Sequence, residues 1–268
     1  MKPQIWTHHL NFSCYGARIG TRSNDSRALG ELQTVFPPHW KLITSLNVDW
    51  QYSLHCAPPT RSGRKPFHTL FSNDEQLARN KDFARIVQAF EQDVQLAVAQ
   101  KARAKVFVHA GVVGWRGRAI LIPGRSYTGK STLVRELVRA GATYYSDEYA
   151  VLDERGRVHP FARQLALRDE NSVNRKLSFE ELGGGIGKHP IPIGTILATK
   201  YRARAKWRPR VLTPGLGSLE LLANTVTARS GQPIVLEVLT RVAKHATILK
   251  SARGEADGFA HQLLQQLA

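Results

Sequence analysis

Gly124-Arg-Ser-Tyr-Thr-Gly-Lys-Ser131 is the stretch on which the fold turns. Ala119-Ile-Leu-Ile-Pro123 leads into it as an apolar run of strand length. Thr132-Leu-Val-Arg-Glu-Leu-Val-Arg139 follows, with Leu133, Leu137 and Val138 on one side of a helix. Strand, loop and helix are the context in which G-x-x-x-x-G-K-[ST] cradles a polyphosphate. Glycines let the backbone wrap tightly, loop N–H groups and the positive helix end hold phosphate oxygens, and Lys130 reaches the β- and γ-phosphates. Ser131 offers a hydroxyl to Mg²⁺. The expected nucleotide contacts are Gly124, Arg125, Ser126, Tyr127, Thr128, Gly129, Lys130, Ser131 and Thr132, with ATP and Mg²⁺ as cofactors.

Upstream, two apolar runs flank Gly114-Trp-Arg-Gly117 and predict a β-hairpin with a two-residue turn, hence a mixed sheet. With Trp115 and Arg116 in the turn, His109 falls opposite Ile122, beside the mouth of the loop; a hydrogen-bonded strand histidine is the bland alternative. Downstream, Gly141 caps the helix, and Ala142-Thr-Tyr-Tyr-Ser146 predicts a strand ending at Asp147-Glu148. A strand–helix–strand unit brings both carboxyl ends, and so the acids and the loop, to one sheet edge. The two carboxylates suit Mg²⁺ binding and proton transfer, against the alternative of an acidic surface pair.

His109, the loop from Gly124, Lys130-Ser131 and Asp147-Glu148, in this order and spacing, resemble the catalytic domain of bacterial HPr serine kinase/phosphorylases, whose core is similar to that of phosphoenolpyruvate carboxykinases. The resemblance covers Val106 to Asp153. It implies an α/β fold: a P-loop kinase core with a mixed β-sheet flanked by helices, plus a smaller β-rich N-terminal subdomain. It also implies Asp147 as general base held by His109, with Lys130 completing the catalytic set, and Mg²⁺ bound through Ser131, Asp147 and Glu148. Tyr127, Thr132 and Glu148 depart from the family's usual Gly, Glu and Asp. The family's later L-E-x-R-G-L-G signature is missing, which points to a divergent relative with another substrate.

The flanking chain divides into residues 1–103, an N-terminal α+β subdomain ending in a long helix, and 104–268, the nucleotide-binding domain. In the first, Asn24-Asp-Ser26 predicts a helix N-cap, and Leu46, Val48, Trp50, Tyr52 and Leu54 alternate as a strand. A long helix is predicted from Asn73-Asp-Glu75, its stripe of Phe83, Ile86, Val87, Phe90, Val94, Ala97 and Val98 expected to pack on the sheet that follows. In the second, Arg163 and Arg168 are candidate phosphate ligands, Gly183 to Lys188 is a candidate loop over the site, and Ile191 to Thr199 reads as a strand. All six basic residues of Lys200-Tyr-Arg-Ala-Arg-Ala-Lys-Trp-Arg-Pro-Arg210 hold even positions, one cationic face if extended. Helices are expected at Gly217–Ala228 and Glu255–Leu267, with a strand at Ala246–Lys250 between them.

At 268 residues, 42% apolar and 22% charged, the chain is globular, with no run long enough to span a membrane. Two cysteines, Cys14 and Cys56, show no zinc or redox spacing, and with no secretory leader pattern the expectation is cytoplasmic. The net charge of +17 concentrates in residues 101–268, which hold 27 Lys+Arg against 13 Asp+Glu. No recognition helix or stacking motif accompanies it, which argues against nucleic acid. These readings converge on an ATP- and Mg²⁺-dependent kinase acting on a serine of a protein or peptide, with an acidic acceptor suited to the basic stretch. The alternatives are a nucleotide-binding regulatory protein and a small-molecule kinase. The resemblance also favours a homo-oligomer.

Overall fold

Alternating apolar positions build the sheets of this protein, and 3.6-residue stripes build the helices that cover them. The computed structural model describes residues 6–58, 66–124, 128–168, 174–226 and 233–267. The chain divides into two compact units, Met1–Ala104 and Lys105–Ala268.

The first unit runs β1 (His8–Cys14), β2 (Ala17–Ser23), α1 (Ser26–Gln33), β3 (Lys41–Ile43), β4 (Trp50–Cys56), β5 (His68–Ser72), β6 (Glu75–Asn80) and α2 (Phe83–Lys101). Its six strands form one sheet in the order β3-β1-β2-β4-β5-β6. The long helix starts at Phe83, not at Asn73. Asn73, at φ 51°, turns the chain between β5 and β6, and the Asp82 carboxylate caps the helix by accepting from the Ala84 N–H. Its stripe packs on the sheet that precedes it, within its own unit: α2 contacts β2, β5 and β6, and the Phe90 ring meets Tyr52 edge-on at 4.9 Å. The predicted strand around Trp50 begins at Trp50 itself, and Leu46 is left exposed.

The second unit opens with β7 (Lys105–Trp115), β8 (Arg118–Pro123), α3 (Lys130–Arg139), β9 (Thr143–Ser146), β10 (Tyr149–Asp153) and β11 (Arg157–His159). It continues with β12 (Leu165–Arg168), β13 (Asn174–Leu177), α4 (Phe179–Leu182), β14 (Ile191–Tyr201), β15 (Arg210–Val211), α5 (Pro214–Leu222), α6 (Pro233–His245), β16 (Thr247–Arg253) and α7 (Ala256–Gln266). The main sheet has eight strands in the order β11-β10-β7-β8-β14-β16-β15, with β9 also on β7. It is mixed: β7 pairs antiparallel with β8, β9 and β10, whereas β8, β14 and β16 run parallel. Strand β11 pairs with both β10 and the start of β14, so β11, β10, β7, β8 and β14 close a ring.

Alternation divides the core. Val106, Val108, Ala110, Val112, Ala119 and Leu121 face a cluster built with Leu221 of α5 and Val235, Val238, Leu239 and Val242 of α6. Ile120 and Ile122 face the other way, onto Leu133, Val134, Leu137 and Val138 of α3 and Phe259, Ala260, Leu263 and Leu264 of α7. Helix α5 begins earlier than expected because Thr213 accepts from the Leu216 N–H and Pro214 takes the first helical position. Helix α6 was not anticipated. Strand β16 runs past Lys250 to Arg253.

The hairpin of β7 and β8 is present, but its turn is Arg116-Gly117 rather than Trp115-Arg116. Trp115 pairs with Arg118, and φ is positive at both Arg116 (48°) and Gly117 (76°). A two-residue turn that matches strand twist needs positive φ at both central positions, and glycine supplies the second at no steric cost. The register therefore moves, and Gly111, not His109, faces Ile122.

Candidate active site

Because β8, β14 and β16 are parallel and β9 runs the same way on the far side of β7, their carboxyl ends share one edge. That edge is where open α/β sheets bind ligands. From β8 the chain passes Gly124 and reaches Gly129, which caps α3 in the left-handed region (φ 81°). A Cβ on Gly124 would lie 2.9 Å from Thr128 Oγ1 and 3.5 Å from Lys130 Cδ, so glycine is needed for this close wrap. Arg125, Ser126 and Tyr127 lie outside the described residues. Thr132 is exposed on the first turn of α3. Burial pulls the Lys130 ammonium below the usual lysine range, while the nearby Glu148 and Asp147 carboxylates oppose that shift.

The acids sit at a break in one strand line. Both β9 and β10 pair with β7, and Asp147-Glu148 is the kink between them, held by Ser146 Oγ accepting from the N–H groups of Glu148 (3.2 Å) and Tyr149 (3.0 Å). Asp147 is buried. Its Oδ2 accepts from Ser131 Oγ at 3.2 Å and its Oδ1 from the Tyr144 hydroxyl at 3.0 Å. Burial pushes its carboxyl up to about 6, with the Glu148 charge adding to the rise and the two hydroxyl hydrogen bonds and Arg163 opposing it.

Glu148 faces solvent, with its side chain 48% exposed and Oε1 3.6 Å from His109 Nδ1. Partial desolvation raises the Glu148 carboxyl, but the adjoining His109 imidazole and the charges of Lys130 and Arg163 outweigh it and hold it below the ordinary range. His109 thus adjoins the second acid, Glu148, not Asp147 as the resemblance implied. The corrected register explains its position: the Gly124 N–H donates to the His109 carbonyl at 3.1 Å, which sets the histidine level with the first residue of the loop. Its ring lies against that of Tyr149, centroids 4.7 Å apart.

Ser131 and Asp147 give a hydroxyl and a carboxylate in contact, an all-oxygen pair that fits Mg²⁺, an ion that takes few protein ligands and shares substrate phosphates. No group of three or more His, Cys, Asp or Glu able to hold a metal alone occurs among the described residues. Arg163 lies close enough for its charge to act on both acids, and its carbonyl accepts from the Tyr144 hydroxyl at 2.9 Å. The Arg168 side chain is outside the described residues. Gly183 to Lys188 does not hang over the site. The Tyr144 N–H donates to the Gly185 carbonyl and the Gly187 N–H to the Tyr144 carbonyl, both at 2.8 Å, which ties the segment to β9.

One residue at this edge escaped the sequence reading. Arg253, at the end of β16, is 2% exposed, and its Nη2 donates to the Gly129 carbonyl at 2.7 Å. A buried arginine interrupts the apolar pattern of its strand, so the strand seemed to stop at Lys250. The six even-numbered basic residues from Lys200 to Arg210 are all exposed, but not on one strand: β14 ends at Tyr201, and Arg204 (φ 60°) turns the chain back toward β15. Tyr201 joins this loop to the segment before α3 through its N–H, 3.4 Å from the Thr128 carbonyl.

Among solved structures, an HPr(Ser) kinase/phosphatase from Coxiella burnetii aligns with 60% of this chain and 95% of its own length, at 12% identity and a TM-score of 0.36. No family model matches the chain, and no curated protein does. No helix among the described residues is long and apolar enough to cross a membrane.

Proposed function

We propose that the unit Lys105–Ala268 binds ATP with Mg²⁺ at the loop Gly124–Thr132 and transfers the γ-phosphoryl group to a hydroxyl, a serine of a protein or peptide. The observation that carries this reading is the Ser131–Asp147 contact, with the Glu148–His109 pair beside it at the carboxyl edge of the sheet. A loop serine and a strand-end aspartate form the pair that holds Mg²⁺ in phosphate-loop enzymes, and Mg²⁺ when bound neutralises charge on the β- and γ-phosphates. Lys130 stabilises the same charge from the protein side.

Access divides the work of the two acids. Both Asp147 oxygens are occupied by hydroxyl donors and the residue is buried, so it is suited to the metal. Glu148 is exposed and adjoins an imidazole, so it is suited to the acceptor. In the transfer, the acceptor oxygen bonds to the γ-phosphorus, the bond from that phosphorus to the bridging oxygen of ADP breaks, and the hydroxyl proton passes to the Glu148 carboxylate, with His109 orienting it.

The test is incubation with γ-labelled ATP, Mg²⁺ and proteins or peptides encoded beside this one, followed by mass spectrometry. Lys130→Ala abolishes turnover. Glu148→Gln keeps ATP bound but lowers transfer by about 10²-fold or more, and His109→Ala on top of it adds little, because groups acting together are not additive. ATP binding without transfer to any acceptor would sink the kinase reading and leave a nucleotide-binding regulator. Multiplicative losses would reduce His109 to a structural role.

A further inference from the structure

We infer that Arg253 is a positioning residue of the phosphate site, one that clamps the start of α3 and leaves a buried positive charge for a bound polyphosphate to balance. The inference rests on the nucleotide-site reading above. Nη2 of Arg253 donates to the Gly129 carbonyl (2.7 Å) and Nη1 to the Gly254 carbonyl (3.0 Å), while the buried Nε has no hydrogen-bond partner among the described residues. No carboxylate stands within ion-pair distance of the guanidinium among the described residues. Glu255, two residues on, instead accepts from the Tyr201 hydroxyl at 2.7 Å. The Tyr201 ring also lies near the guanidinium, its centroid 5.8 Å from Cζ.

Such an arrangement is costly in a resting protein. An arginine at 2% exposure has lost its water, and burial pulls the guanidinium below its usual range; the Glu255 carboxylate acts on its charge without forming an ion pair, so the charge is only partly balanced. Here the charge also lies at the positive end of α3, where cations are disfavoured and anions favoured. What it secures is local. Gly129 adopts φ 81° to cap α3, and a Cβ there would meet Nη2 at 2.8 Å, so the glycine and the arginine fit each other. With its carbonyl held, the first N–H groups of α3 are fixed in direction before a ligand arrives. An anion at that helix end would offset both the dipole and the guanidinium. The same arginine meets the basic loop, because its own carbonyl accepts from the Arg202 N–H at 2.9 Å.

The test compares the full chain with Arg253→Met and Arg253→Lys, measuring affinity for Mg·ATP, inorganic tripolyphosphate and adenosine by calorimetry. Arg253→Met is expected to weaken ATP and tripolyphosphate by about 10- to 100-fold, the scale of a lost hydrogen bond to a charged group, and to leave adenosine within about twofold. Arg253→Lys, which keeps the charge but not the two-point clamp, falls between. Equal losses for all three ligands would mean a general collapse of the fold and overturn the inference, as would wild-type ATP affinity in a folded Met variant. If Met does not fold, Lys decides: unchanged tripolyphosphate affinity overturns the clamp. Wild-type protein that binds neither ATP nor tripolyphosphate would remove the site reading first, a result distinct from any of these.

Discussion

Adding one methyl group at Gly111 should damage the candidate site by displacing the helix that carries Lys130 and Ser131. A Cβ there would lie 2.5 Å from Val134 Cγ2, against the about 3.5–4.0 Å of a relaxed carbon contact, an overlap of about 1 Å. Val134 cannot rotate away. It is fully buried in the second turn of α3, and a β-branched side chain in a helix has one strongly preferred rotamer. The relief open to Gly111→Ala is to push α3 off the sheet, and overpacking of this kind costs about 1–3 kcal/mol. Because α3 begins at Lys130, its displacement also moves Ser131 from Asp147, so ATP affinity should fall together with protection of the α3 amides. Hydrogen exchange of α3 peptides reads the local opening free energy, and calorimetry reads ATP. Val134→Ala removes the clashing atom. The double variant should therefore recover about 1–3 kcal/mol relative to the sum of the single changes. Additivity within about 0.5 kcal/mol, or a Gly111→Ala protein with wild-type α3 protection, would refute the packing argument.

Three further outcomes are expected. Replacing Gly117 (φ 76°) by Val should cost about 1 kcal/mol or more at the hairpin turn, seen as faster exchange at the turn ends of β7 and β8, whereas Gly117→Asn should be milder. Changing Arg204, Lys206 and Arg208 together to Glu should raise KM for an acidic acceptor and leave KM for ATP unchanged. That defect should shrink as salt rises toward 0.15 M or so, where the screening length is about 8 Å; equal acceptor kinetics at low salt would return the loop to a solvated surface. In the first unit, the Arg18 hydrogen bonds hold the Asp49 carboxyl at about 2, below its ordinary 3.8. A depressed folded value means this stabilisation is complete above about pH 4 and is lost as pH falls through about 2. Acid unfolding followed by near-ultraviolet circular dichroism should therefore be shallower in Asp49→Asn over that window, and identical profiles would discount the pair.

The parts of the fold legible in sequence were those carried by local pattern. The strand and the helix that flank Gly124–Gly129 could be read from Ala119 to Arg139, because apolar spacing changes period on either side of the glycines. The hairpin was legible but its register was not: Trp115-Arg116 and Arg116-Gly117 are equally short turns, and only positive φ at Gly117 separates them. The start of α2 was misplaced because Asn73-Asp74 and Asp82 both look like caps, and only pairing of β6 with β5 decides between them. Within the site, Asp147-Glu148 was visible from its distance to the loop. Which acid meets His109 was not, because that depends on a kink between β9 and β10 with no local signature. Arg253 was hidden for the opposite reason: its role comes from being the third parallel strand end beside Gly129, a neighbour 124 residues away.

The double pairing of β11 bears on how copies of this protein keep apart. A sheet end is a row of unmet amide and carbonyl groups, and one that stays open invites another chain to add itself. At the β11 end that invitation is withdrawn, since β14 already occupies its outer side. The opposite end is β15, only two residues long, where Val211 is 73% exposed but follows Arg208, Pro209 and Arg210. Proline cannot donate to a ladder, and two guanidinium groups would face two more across any homotypic seam. The charges of this loop therefore oppose fibre-like stacking at the β15 edge, so neutralising them should lower solubility before it alters stability.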